Sequence, residues 1–263
     1  MRQRRVTGIE ERLAPYADLL LSGENRGDEH RGDEHRGDGS FCVREQTQKE
    51  PSPLCSSPLC SSPRHTRWYQ RLSPRYDLPE EYERVYAEFG CGRGLFINTM
   101  AAEDPEGLYI GVEGCKTIII RAIEKTKAAS LLNTRYIDSF VNDAGAAFGE
   151  NALAGIFLNF SDPWPKDRHA DRRLTAPSKA EAYYRVLSPG GFVSLKTDGK
   201  DFFEYSMESF ADAGFSIAGS SCEIAKNINE KDIAERAFLT PTEYELKFRS
   251  EGKSIYHFTA LKR

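Results

Sequence analysis

From Arg84 onward the chain alternates short apolar runs with stretches of helical period, and that alternation restricts it to few architectures. The runs are "RVYAEFG" (84–90), "LYIGV" (108–112), "TRYI" (134–137), "GIFLNF" (155–160), "GFVSLKT" (191–197), "FSIAGS" (215–220) and "IYHFTAL" (255–261). Short and mostly apolar, they suit strands covered on both faces. The helical periods over 95–102, 116–130, 144–148, 178–187 and 202–213 supply the cover. The spacing predicts an α/β fold, a doubly wound, seven-stranded, mostly parallel sheet, with its ligand at the carboxyl ends of the strands.

A chain of 263 residues, 39% of them hydrophobic, can bury one sizeable core. Its net charge is -4, so binding to a polyanion requires a local basic patch. There is no apolar run near 18 residues, and the start "MRQRRVTGIEERLAPYADLLL" interleaves charges with apolar residues. Both features weigh against a membrane span or a secretory signal. The six cysteines (Cys42, Cys55, Cys60, Cys91, Cys115, Cys222) lack CxxC pairing and are expected to be free thiols in a reducing cytoplasm. No resident metal is expected.

Two repeats, "RGDEHRGDEHRGDG" (26–39) and "SPLCSSPLCSSP" (52–63), interrupt the N-terminal region. Their Gly, Asp, Ser and Pro density cannot bury enough apolar surface to offset the entropy of ordering. A metal site from His30, His35, Cys55 and Cys60, or an adhesive Arg-Gly-Asp, is the sharper reading, and a repeat-expanded linker the preferred one. The expected division is a basic segment over 1–24, a disordered linker over 25–64 and a folded domain over 65–263.

Chemistry gathers at the predicted strand ends. In "EFGCGRG" a strand runs into Gly90, Gly92 and Gly94 and then a helix, so a ligand can lie against the turn and the helix N-terminus. The third glycine falls one residue early for a pyrophosphate-binding G-x-G-x-x-G loop; the spacing is similar to that of class I S-adenosylmethionine methyltransferases. Glu113 ends the next strand, where a carboxylate can accept both hydroxyls of a ribose. Glu88, inside the first strand, is expensive to bury unless it holds backbone amides or a ligand amine. After the third strand come Asp138, Asn142 and Asp143, of which Asn142 can both accept from and donate to an adenine.

The stretch "LNFSDPWPKDRHADRRLT" (158–175) starts as a buried strand and presents Asp162 at its carboxyl end. The two prolines around Trp164 stiffen an aromatic platform suited to a flat base. Lys166, Arg168, His169, Arg172 and Arg173 follow, a patch able to hold phosphates. Further on, Asp198 ends the strand "GFVSLKT", where a helix cap is the competing reading. "TEYE" (Thr242, Glu243, Tyr244, Glu245) reads equally as a helix start with Thr242 as cap and Glu245 closing a capping box.

These blocks, with "YIGVEGCKTIIIRAIEK", "LKTDGKDFFEYSMESF" and "TEYELKF", give residues 88–256 a resemblance to bacterial tRNA (guanine-N7-)-methyltransferases. The Arg-rich start "MRQRRVTGIEERLAPYA" is similar to the family's N-terminus. The resemblance implies a Rossmann-like class I methyltransferase domain that moves a methyl group from S-adenosylmethionine to N7 of guanosine 46 in the variable loop of tRNA, in the cytoplasm and without DNA as a partner. It places the cofactor against Glu88, the glycine turn, Glu113, the Asn142 region and Asp162. It places the substrate against Lys166, Asp198 and Thr242 to Glu245, with Arg168 to Arg173 as the RNA-contacting run. The chain departs from the family in reading "VNDAG" where many members have V-D-A, and in carrying the 26–63 repeats.

Guanine N7 carries no proton, so its attack on a methyl group needs alignment more than a general base. Asp162, Asp198 and Glu245 are the carboxylates expected to offset the charge that develops on the guanine, with Asp162 the catalytic candidate. His257, in a late apolar strand, is expected to be structural. The competing functions are a class I methyltransferase acting on another RNA or protein nucleophile, an RNA-binding protein whose pocket no longer turns over, and a nicotinamide-dependent oxidoreductase. The intact glycine turn disfavours the second, and its spacing the third.

Overall fold

A computed structural model of the protein describes residues 8–21, 82–140, 144–221 and 232–263. The repeats, the first arginines, Asn142, Asp143 and Cys42, Cys55, Cys60 and Cys222 lie outside the described residues.

Seven strands form one sheet, β1 (Arg84–Phe89), β2 (Gly107–Val112), β3 (Thr134–Ile137), β4 (Leu153–Asn159), β5 (Leu187–Thr197), β6 (Ser216–Ser221) and β7 (Tyr256–Leu261). Their order is β3-β2-β1-β4-β5-β7-β6. The first five run parallel, and β7 is antiparallel to both β5 and β6. All seven predicted strands are therefore present in the doubly wound, mostly parallel arrangement that the alternation required. Every residue of β2 is buried, as the covering of both faces demands.

The alternation of side chains along β1 builds two cores. Val85, Ala87 and Phe89 point to one face, where Phe148, Tyr183, Phe210 and Phe258 collect; Tyr86 points to the other, against Tyr109, Phe157, Phe96 and Phe192. Burying each such aromatic contributes about 2 to 3 kcal/mol.

The helices are α1 (Ile9–Leu13), α2 (Leu95–Glu103), α3 (Lys116–Ala128), α4 (Ala144–Phe148), α5 (Pro177–Val186), α6 (Lys200–Asp212), α7 (Ile233–Leu239) and α8 (Glu243–Ser250). Helix α3 buries Ile119, Ile120, Ala122, Ile123 and Thr126, the stripe of a 3.6-residue period. The N-terminal stretch packs on it: Leu13 and Leu19 join the same core, Leu21 N donates to Tyr136 O at 2.8 Å, and Arg12 pairs with Glu124 at 3.1 Å.

The differences from expectation are local. Strand β4 starts at Leu153 and ends one residue before Phe160, whose φ of 49° leaves the extended region. Strand β5 reaches back to Leu187 through an irregularity in its pairing with β4 near Gly190, where φ is 77°. Helices α1 and α7 have no counterpart in the predicted elements; α7 is a seven-residue helix with Asp232 as its cap.

Candidate active site

Strands β1 and β4 are neighbours, yet the chain leaves β1 toward β2 on one side and returns to β4 on the other. That reversal opens a crevice at their carboxyl ends. Glu88, on the Tyr86 face of β1, is only 2% exposed. Asn159, the last residue of β4, donates Nδ2 to its Oε1 at 2.9 Å, while its Oε2 is buried with no hydrogen-bond partner. Burial pushes the Glu88 carboxyl up to about 8, with the Asn159 amide opposing the rise most and the Lys196 ammonium and the Ile97 amide opposing it more weakly.

Beyond β1 the backbone turns through positive φ at Gly90, Gly92 and Gly94. At Gly92 a Cβ would meet nothing within 4 Å, so the turn's outer side is open to a ligand. Gly94 caps α2 with φ 75°, and a Cβ there would lie 2.6 Å from that of Ala122 on α3. The turn is tied to β2 by Glu113, whose Oε2 accepts from Gly92 N at 3.2 Å and whose Oε1 accepts from Cys115 N at 2.9 Å. Burial raises the pKa of Glu113 against these amides.

A cleft of about 630 Å³ unites these groups, with Glu88, Gly92 and Glu113 on one side and Asp162, Trp164 and Arg172 on the other. This size suits a nucleoside-bearing ligand. Asp162 is exposed within the cleft. Trp164 has His169 edge-on at 5.6 Å and the Arg172 guanidinium over its ring at 5.1 Å. Phe140 and Ile118, both exposed, add an apolar wall near Glu113. Lys166 and Arg168 are exposed and flank the cleft without lining it, in and just before a short 3-10 helix, Asp167–Arg172.

The residues expected to meet the substrate divide. Thr242, Glu243 and Tyr244 line the cleft, and Glu243 pairs with Lys125 at 2.7 Å. Glu245 does not line it. It is 1% exposed, its amide donates to the Thr242 hydroxyl at 3.0 Å, and its carboxylate takes Lys196 Nζ at 3.0 Å and a short contact from Arg249. Thr242 thus caps the helix as the cap reading has it, but Glu245 does not close a capping box, because its carboxylate is spent on Lys196 and Arg249. Asp198 is exposed outside the cleft, 3.7 Å from Lys253 Nζ. Arg173 does not line the cleft and donates to the carbonyls of Pro163 and Trp164. His257 is buried against the Ser194 hydroxyl at 3.1 Å, and burial lowers it to about 3, a structural role as expected.

A family model described as "Putative methyltransferase" matches residues 82–258. The tRNA (guanine-N(7)-)-methyltransferase of Geobacillus thermodenitrificans is 36% identical over 199 residues, covering 76% of this chain and 86% of that protein. The protein of the same description from Oceanobacillus iheyensis is 38% identical over 176 residues, covering 67% and 79%. That from Staphylococcus aureus strain MSSA476 is 34% identical over 195 residues, covering 74% and 83%. The chain belongs to the tRNA (guanine-N(7)-)-methyltransferase family.

For a member of that family, the cleft has the groups that S-adenosylmethionine requires. A buried carboxylate oxygen on Glu88 without a partner fits a ligand ammonium, the open space at Gly92 leaves room for a ligand, and Glu113 retains acceptor capacity beside it. One contributor goes unmarked in the sequence reading, Asn159, a polar residue in an otherwise apolar strand, which was the available signal. Among the described residues no cluster of His, Cys, Asp and Glu could hold a metal ion, and no helix is long and apolar enough to cross a membrane.

Proposed function

We propose that this protein transfers a methyl group from S-adenosylmethionine to N7 of guanosine 46 in the variable loop of cytoplasmic tRNA. The observation that carries the reading is that one cleft holds both the glycine turn with its unpartnered Glu88 oxygen and the acidic, aromatic corner at Asp162 and Trp164. The relatives' description supplies the substrate class and the reacting atom.

When bound, S-adenosylmethionine supplies an electrophilic methyl group on a sulfonium. Glu88 receives the ammonium through Oε2, with Asn159 fixing the carboxylate from behind. Glu113 keeps free lone pairs for the ribose hydroxyls while its backbone bonds hold it in place. Asp162 stands at the mouth, where a purine arriving from solvent presents its N7 edge. Its carboxylate stabilises the positive charge that the ring acquires. No group needs to take a proton from N7, so a cleft without a histidine base is adequate.

Trp164 offers a rigid face to the base, and Arg172, over that ring, reaches a neighbouring phosphate. Lys166, Arg168 and His169 extend the basic rim along the RNA backbone. Asp198 lies outside the cleft beside Lys253, so it is left out of the groups that meet the guanine.

The test is incubation of the protein with labelled S-adenosylmethionine and bulk tRNA, followed by chain cleavage at N7-methylguanosine. Label at that atom of nucleotide 46 is expected. Incorporation only at other atoms refutes the assignment and favours another RNA nucleophile.

A further inference from the structure

We infer that Arg173 is a positioning residue for the reaction corner, holding the backbone that presents Asp162 and Trp164, and is not a phosphate contact of the basic run that contains it. The inference rests on the function proposed above.

Among the described residues, four that are not glycine have positive φ, and two of them flank Asp162: Phe160 at 49° and Trp164 at 40°. L side chains avoid this region, and a bulky aromatic stays there only if its surroundings hold it. Phe160 is held by the sheet, its N–H donating to Lys196 O at 2.8 Å. Trp164 has no such strand. It lies between Pro163 and Pro165, which have no N–H to donate, so their amides cannot brace the corner and an outside donor to its carbonyls adds that support.

Arg173 is that donor. Its Nε reaches Pro163 O at 3.0 Å and its Nη2 reaches Trp164 O at 3.1 Å, a fork across two consecutive carbonyls. The face of the guanidinium lies over the Tyr205 ring of α6 at 4.3 Å. Donors spent on backbone and a face covered by an aromatic leave this arginine poorly placed to meet a phosphate. Its neighbour Arg172 sits on the cleft side, over the Trp164 ring. Adjacent residues of one basic run therefore do different jobs, one toward the RNA and one behind the loop.

The chemistry separates the two roles. A phosphate contact is served largely by charge, whereas a fork across two carbonyls needs the planar guanidinium and is lost in lysine. The experiment compares the wild type with Arg173→Lys, Arg173→Ala, Tyr205→Leu and Arg172→Ala. It measures kcat and KM for methylation of tRNA, the salt dependence of tRNA binding without cofactor, and thermal unfolding. Arg173→Lys is expected to lower kcat by about 10- to 100-fold, the effect of a corner displaced by roughly an ångström. Its tRNA KM and salt slope should match the wild type. Tyr205→Leu, which leaves every charge in place, should lower kcat in the same direction, and Arg172→Ala should reduce the salt slope by about one.

Retention of wild-type kcat by Arg173→Lys overturns the inference. So does a salt slope reduced by about one in Arg173→Ala. If Arg173→Ala does not fold, Arg173→Lys and Tyr205→Leu decide the matter. A wild-type protein that fails to methylate N7 refutes the proposed function instead, and the salt slopes then still report whether Arg173 meets phosphate.

Discussion

Replacing Glu88 with glutamine should change both stability and cofactor binding, with opposite dependence on pH. The carboxyl is buried with one oxygen on the Asn159 amide and the other unpartnered, and burial holds its pKa at about 8 against an ordinary 4.5. At 1.36 kcal/mol per pH unit, that gap is at most about 5 kcal/mol. The folded, cofactor-free protein retains a proton that the unfolded chain releases above its ordinary value. Stability from this group is therefore full at low pH, falls as pH rises from about 4.5 to about 8, and is level beyond. Glutamine carries no such proton, so the variant's unfolding free energy should gain about 3 to 5 kcal/mol on the wild type between pH 5 and pH 9. Urea titrations at several pH values measure this.

Binding runs the other way. A ligand ammonium requires the ionised carboxylate, so S-adenosylmethionine affinity in the wild type should rise about tenfold from pH 6 to pH 7, releasing roughly one proton per ligand. Glu88→Gln should bind more weakly and show almost no slope over that range. Calorimetry in two buffers of different ionisation enthalpy counts the proton. Parallel stability profiles together with ligand binding that releases no proton would refute the reasoning.

Asp162→Ala should lower kcat by about 100-fold or more while leaving the melting temperature nearly unchanged, because the lost carboxylate is exposed and stabilises charge only during the reaction. Lys196→Ala should cost about 3 to 5 kcal/mol in urea unfolding, since it strips a buried partner from Glu245; a loss below about 1 kcal/mol would show that Arg249 alone satisfies that carboxylate. Gly94→Ala should destabilise by about 2 kcal/mol or more, through its φ of 75° and the 2.6 Å approach to Ala122. Unchanged stability there would mean that α2 and α3 separate at little cost.

The sheet was legible because burial on two faces leaves a direct trace, an apolar run wherever a strand passes through the middle. Gly90, Gly92, Gly94, Glu113 and Asp162 were legible for a related reason. Each follows a strand end, and strand ends in a parallel sheet converge. Glu245 shows where this logic stops. Its spacing from Thr242 is that of both a capping box and a substrate contact, and only the tertiary position of Lys196, 49 residues earlier, turns the carboxylate inward. Arg173 was indistinguishable from Arg172 in a run of cations because nothing in one sequence tells which side of a loop a guanidinium will take. Helix α7 escaped because seven residues carry too little periodicity to stand out from a loop.

The reversed strand also constrains the order of assembly. Residues 256–261 lie between β5 and β6, so β6 has no neighbour in the sheet until a segment translated some forty residues later arrives. During synthesis β6 must wait with an unpaired edge on either side, beside a parallel half that can already close. A ribosome stalling in that interval would leave an adhesive ribbon, and the nascent chain is most exposed to aggregation there.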